Sequence, residues 1–359
     1  MLAVISTIAQ HPLGSKVHFP NLSWAISNIE SYVLIQTFKE YNLQYPNFKF
    51  RNENSHLSNT NNYFGFYNYI QCYLKEMLNI GVKAFLFTQQ DIIFYKKIND
   101  IYDICVKQNK IICSFNTPYQ YCMLKQDFPK ERISCMEFND WSYIQYPRIW
   151  EGCCMIPSFM IEIFINENIQ FGHKPNRFKK ESDLYLKFLN KIEKNKISTR
   201  GGEVKVISDY ILSWEKNKGN LKKYGHDTFF EISLYCFLNN FSFYLDSNIA
   251  NKWIDFHISN HAVHFHFIEK LCRETKGNFY KDFNLIFQYE DLEKSQADIA
   301  FMSLMSGVHL DSNLFFKCNF NSIKDTIHKF KFFDENYHAW MDDYQISIFE
   351  KLQKKIHFL

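Results

Sequence analysis

The chain opens on a short apolar run, Leu2–Ser6, and a second follows at Tyr32–Thr37 (Tyr-Val-Leu-Ile-Gln-Thr). Runs of this length, bounded by polar residues, predict buried strands. Phe48–Arg51 predicts a short third strand. From Tyr63 to Leu78 the period changes. Phe66, Ile70, Tyr73, Leu74 and Met77 recur at helical spacing, and the run stops at Asn79-Ile80-Gly81, a helix-end signal. Lys83–Thr88 then predicts a fourth strand, closing on Gln89-Gln90-Asp91. A helix over Ile98–Gln108 and a strand over Lys110–Phe115 follow. Strands separated by helices predict an α/β fold with a Rossmann-like, mostly parallel sheet flanked by helices.

Beyond residue 115 the pattern is less regular. Arg132–Phe138 and Gly152–Ile156 predict strands, and Pro157 is placed to open a helix over Ser158–Ile165. Residues 172–200 are basic, contain Pro175 and run to Gly201-Gly202, as an insertion or mobile loop would. Asp227–Asn239 predicts a helix with Asp227 as its N-cap and Glu231 in its first turn. Phe241–Asp246 predicts a strand, and His261–Phe267 alternates at period two. From about residue 280 the pattern is helical, so the expected division is a sheet domain over 1–275 and a helical region over 276–359.

Composition narrows the classes. Of 359 residues, 46% are hydrophobic and 22% charged, which fits a globular protein and excludes disorder. The 18% aromatic share, together with abundant Lys, Asn and Ile, matches the codon bias of an AT-rich genome and carries no evidence for carbohydrate binding by itself. A net charge of +3, with Lys and Arg scattered, leaves no nucleic-acid footprint. The ten cysteines include no CxxC pair, and several lie inside apolar runs such as Ile111-Ile112-Cys113. Free thiols in a reducing, cytoplasmic setting are therefore expected. No stretch approaches the roughly 18–20 apolar residues of a membrane span, and Met1–Ser6 lacks the features of a signal peptide. Tyr344–Leu359 is amphipathic and basic, which suits either docking on its own domain or peripheral contact with the cytoplasmic membrane face.

In open α/β sheets ligands bind outside the carboxyl ends of the strands. That rule collects Thr7, Thr37, Asn54 and Gln89-Gln90-Asp91 as candidates for cofactor or donor contact.

The order Ala3-Val4-Ile5-Ser6-Thr7, Val33-Leu34-Ile35-Gln36-Thr37, helix 63–78, then Ala84-Phe85-Leu86-Phe87-Thr88-Gln89-Gln90-Asp91 resembles the GT-A nucleotide-sugar glycosyltransferases. In that family a hydrophobic strand ends in an Asp-X-Asp-like motif. Asp91 matches its last position and Gln89 stands at its first. The resemblance implies that Asp91 binds a divalent cation, manganese or magnesium, which neutralises the donor diphosphate. A further likeness lies in Pro147–Pro157, where Gly152 leads into a strand flooring the sugar site. By the same resemblance, Asp227 in Gly225-His226-Asp227 is placed as catalytic base, and His264 or His266 completes the metal site from the C-terminal side. Glu151 is the other acid beside a site strand and the reserve candidate for the base. Each position has a structural alternative: Asp91 as a turn residue, Gly152 as an ordinary loop-to-strand turn, Asp227 as a helix cap, and the histidines as core or surface groups.

The expected activity is thus transfer of a sugar from a nucleotide-sugar donor to a glycan or glycolipid acceptor, with inversion. Two alternatives stand beside it. One is another nucleotide-dependent transferase, for which no GxGxxG or GxxxxGK[ST] loop is present. The other is an inactive glycan-binding or assembly protein that has lost the first metal-binding acid, at Gln89.

Overall fold

The computed structural model describes residues 1–8, 12–37, 48–53, 70–89, 92–94, 96–113, 137–138, 149, 152–172, 229–239, 241, 243–245, 257–258 and 261–264, with isolated helical positions at 187, 190, 343, 346, 347 and 350. Apart from its isolated positions the expected region 276–359 lies outside them, as does the basic stretch 173–186.

In chain order the elements are β1 (Leu2–Ile8), α1 (Pro12–Ala25), β2 (Ser31–Thr37), β3 (Phe48–Glu53), α2 (Gln71–Asn79), β4 (Ala84–Gln89), β5 (Ile92–Phe94), α3 (Asn99–Gln108) and β6 (Ile111–Cys113). They continue with β7 (Glu137–Phe138), β8 (Cys153–Pro157), α4 (Ser158–Asn166), α5 (Phe230–Leu238), β9 (Phe243–Leu245), β10 (His257–Ile258) and β11 (Ala262–His264). Among the described residues the main sheet runs β3-β2-β1-β4-β8-β6-β9-β7, and a second, smaller sheet runs β10-β11-β5. The strands β3, β2, β1 and β4 are mutually parallel, whereas β8 is inserted antiparallel between β4 and β6. The mostly parallel α/β sheet expected is present as a mixed sheet, in which β8 and β7 run antiparallel to their neighbours.

Period-two alternation sends the strand side chains to two helical layers. Leu2 and Val4 of β1, Val33 and Ile35 of β2, and Ala84 and Leu86 of β4 share one buried cluster with Phe19, Leu22 and Ala25 of α1 and Ile101 and Cys105 of α3. On the opposite face, Phe87 packs on Phe171 and Phe229, with ring centroids 6.1 and 4.7 Å away. Phe164 of α4 joins this group through Phe171 and meets Tyr235 of α5. Cys105, Cys153, Cys154 and Cys236 are buried as free thiols within these layers, where Cys serves as a small apolar side chain. Burial raises the Cys105 thiol well above its ordinary pKa, which leaves it unreactive.

Several boundaries follow directly from cap chemistry. Helix α2 ends in a Schellman motif. Gly81 is left-handed at φ 83°, its N–H donates to the Leu78 carbonyl, and the Val82 N–H donates to Met77. Asn109, at φ 53°, ends α3 in the same left-handed region.

Other elements differ from expectation. Helix α1 lies where the sequence shows no helical period: Gly14 and Pro20 interrupt it, and His18, Phe19, Asn21, Leu22, Ser23 and Trp24 are all buried, so its described side chains show no polar face. Helix α5 opens at Phe230, not Asp227, and the position before it is Phe229 at φ 61°. Asp227 is therefore two residues ahead of the cap position rather than in it, and is itself outside the described residues. Glu231 does lie in the first turn, where its carboxylate accepts the Gln170 N–H at 2.8 Å. No helix among the described residues is long and apolar enough to cross a membrane.

Candidate functional site

From β1 the chain moves outward through β2 to β3, then returns to the other side of β1 as β4. The order of the parallel strands therefore reverses between β1 and β4, the place where open α/β sheets hold ligands beyond their carboxyl ends. Register aligns the candidates along that edge. Thr7 is opposite Gln36 and Gln89, Ile8 is opposite Thr37, and Gln36 is opposite Glu53, the residue before Asn54. The antiparallel β8 brings its start to the same end, because the Gln89 N–H donates to the Gly152 carbonyl at 2.9 Å. Glu151 immediately precedes Gly152. From β3 to β8 the edge crosses four interstrand gaps, about 19 Å at ~4.8 Å each.

Thr7, Thr37 and Gln89 are thus brought to one edge, while Asn54, Gln90, Asp91, Glu151, Asp227 and His266 lie outside the described residues. Gln89 is half-buried at the end of β4. Three residues later the chain enters β5 of the smaller sheet, where Ile92 is opposite His264 of β11. His264 is in turn opposite His257 of β10, so its partner in register is a cross-strand histidine. Among the described residues no three His, Cys, Asp or Glu side chains cluster tightly enough to hold a metal.

Polar residues unremarked in the sequence lie just beneath this edge. Ser6 and His18 share a buried 2.7 Å hydrogen bond, and Thr88, opposite Ser6 in register, is buried as well. Asn21 of α1 bonds both backbone groups of Phe94 in β5. His261, which opens the period-two run in the sequence, donates to Asp100 at 2.9 Å. Partial desolvation beside His261 would raise the largely exposed Asp100 carboxyl, but the hydrogen bond and charge of His261, aided by the Ile101 N–H, hold it below the ordinary aspartate range. No local pattern marks Asn21 or Asp100, since both partners are more than seventy residues away.

No protein-family model and no curated protein matches the chain. Among solved structures it is similar to a crystal structure of an active-site mutant of LgtC, at 12% identity and a TM-score of 0.30, over 57% of this chain and 68% of that one. Likeness at that level transfers neither a site nor an activity. A mixed, largely parallel α/β sheet flanked by helices is what stands.

Proposed function

We propose that the chain transfers a sugar from a nucleoside-diphosphate sugar to a hydroxyl acceptor of the glycan or glycolipid type. The observation that carries this reading is the reversal of strand order between β1 and β4, with Thr7 opposite Gln89 and a two-residue link from Gln89 into the smaller sheet. The donor nucleotide lies along the edge marked by Thr7, Thr37 and Asn54, with its diphosphate over Gln89, Gln90 and Asp91.

In this reading a divalent cation, manganese or magnesium, would be held by Asp91 and His264. The register of His264 with Ile92, the neighbour of Asp91, supports a carboxylate and an imidazole as protein donors, with His266 as a third. When bound, the cation neutralises charge on the departing diphosphate.

Asp227 is the base of the proposed reaction. Phe229 packs on Phe87, which stands two residues before Gln89 on β4. Two residues of chain span at most about 7 Å, so this anchor supports Asp227 near the site edge. Its carboxylate takes the acceptor hydroxyl proton, and the oxygen attacks the anomeric carbon from the face opposite the diphosphate. The bond from that carbon to the diphosphate oxygen breaks, and its electron pair leaves with the nucleoside diphosphate, inverting the centre. Glu151, beside Gly152, is the reserve base.

The test is a thermal-shift screen of UDP-, GDP-, CMP- and dTDP-sugars with and without manganese, followed by donor-hydrolysis assays on the stabilising sugar. A manganese-dependent rise in melting temperature with one donor is expected. No shift with any donor overturns the reading. Binding without turnover of donor or acceptor replaces it with the glycan-binding alternative raised by Gln89.

A further inference from the structure

The smaller sheet is mounted on the helices by two side-chain fasteners. The first comes from α1. The Asn21 amide is fully buried; its Nδ2 donates to the Phe94 carbonyl at 2.7 Å and its Oδ1 accepts the Phe94 N–H at 2.7 Å. The side chain thus takes the place of a neighbouring strand along β5, whose other partner is β11, with Ala262 opposite Phe94. The second comes from α3. His261, buried just before β11, donates its Nε2–H to both carboxylate oxygens of Asp100, at 2.9 and 3.0 Å. The His261 carbonyl accepts the Lys96 N–H at 3.4 Å, and the Ile98 N–H donates to Ala25 at 3.2 Å, tying the start of α3 to the end of α1.

An apolar side chain at 21 would leave the Phe94 N–H and carbonyl without these bonds. A buried amide with both groups bonded adds direction instead, and loses it sharply when either bond is broken. What these fasteners fix is one end of a very short link. Gln89 is held on the main sheet by Thr7 and Gly152, and Ile92 opens the smaller sheet, so residues 90 and 91 alone join them. With only two residues between them, the place of Ile92 relative to Gln89 depends on how firmly β5 is held.

We propose that Asn21 and His261 are positioning residues for the donor site, setting where Ile92, at the start of β5, stands relative to Gln89 and Thr7. The proposal rests on the donor reading above. Because the ligand is unidentified, manganese with UDP, and manganese with GDP, serve as probes on the full chain. The variants are Asn21→Leu, which keeps the branched heavy-atom skeleton but not the hydrogen bonds, His261→Leu, His261→Gln, which keeps a donor, and Asp100→Ala, which opens the second fastener from its exposed side. Asn21→Leu, His261→Leu and Asp100→Ala are expected to speed amide exchange over residues 92–94 at least about tenfold while residues 84–88 keep wild-type protection. They should also weaken manganese-dependent nucleotide binding by about tenfold or more, with manganese-free binding unchanged and His261→Gln largely restored. Should Asn21→Leu fail to fold, the Asp100→Ala and His261→Gln pair decides alone, since Asp100 is exposed. Unchanged exchange over 92–94 overturns the fastening. Faster exchange with unchanged manganese-dependent affinity overturns the positioning role. A wild-type chain that binds neither nucleotide, with exchange behaving as expected, overturns the donor reading and the positioning role with it, and leaves the fastening standing.

Discussion

Replacing Phe229 by alanine and by glycine separates two terms that act at one residue. Phe229 is 1% exposed, stacks edge-on against Phe87 at 4.7 Å and Phe171 at 5.7 Å, and holds a left-handed backbone at φ 61°. Either substitution removes the ring, a loss of roughly 3–5 kcal/mol for a buried Phe truncated to Ala. Two aromatic pairs place this site toward the upper end of that range. The backbone then discriminates. A non-glycine residue in the left-handed region costs about 1–2 kcal/mol, a cost that alanine keeps and glycine relieves. Glycine gives back about 0.5–1 kcal/mol through its freer unfolded chain. The net expectation is that Phe229→Gly is more stable than Phe229→Ala by roughly 0.5–1 kcal/mol, the reverse of the usual order in regular structure. Urea unfolding followed by tryptophan fluorescence measures both variants against the wild type. A glycine variant equal to or less stable than the alanine variant refutes the left-handed assignment. A loss below about 1 kcal/mol in both refutes the aromatic anchor, and with it the support for Asp227 near the edge of β4.

Asp227→Asn keeps shape and, with the helix opening at Phe230, no longer tests a cap; melting should be unchanged while turnover falls about 10²–10⁴-fold and donor binding persists. Normal turnover in that variant would move the base to Glu151. Asp91→Asn should abolish the manganese dependence of donor binding and leave the fold intact; indifference of activity to both EDTA and this substitution would make Asp91 a turn residue. Asp100 carries a pH signature. Its folded carboxyl lies below the ordinary aspartate value, so its contribution is present above about pH 4 and is lost as pH falls through the lower folded value. The stability gap between wild type and Asp100→Asn, measured by urea midpoints, should narrow below about pH 4; a gap constant down to pH 2 would exclude the ion pair with His261.

The ends of elements were legible wherever a local rule sets them. The Asn79-Ile80-Gly81 signal ends α2 because only a left-handed residue lets the Gly81 and Val82 N–H groups close on Leu78 and Met77. Apolar runs marked β1, β2, β4 and β8 because strands buried on both faces show no alternation. Helix α1 was illegible for the same reason: from His18 to Ala25 its side chains are buried apart from Pro20, so the described part of the helix shows no polar face to give its pattern a period. The opening of α5 was misplaced because Asp227 offers a good cap in sequence, whereas the buried ring of Phe229 sets the turn from a contact with β4.

The sequence by itself determined the α/β alternation and the residues that follow each strand, since both depend on neighbours within a few positions. Only the tertiary structure decided that β8 enters antiparallel beside β4, bringing Gly152 to Gln89, and that β5 leaves the main sheet to pair with β11. Strand order and register are fixed by hydrogen bonds and packing between distant segments, such as Asn21 with Phe94 and His261 with Asp100. Each partner's local sequence is compatible with many such pairings, and burial of the whole set together selects one.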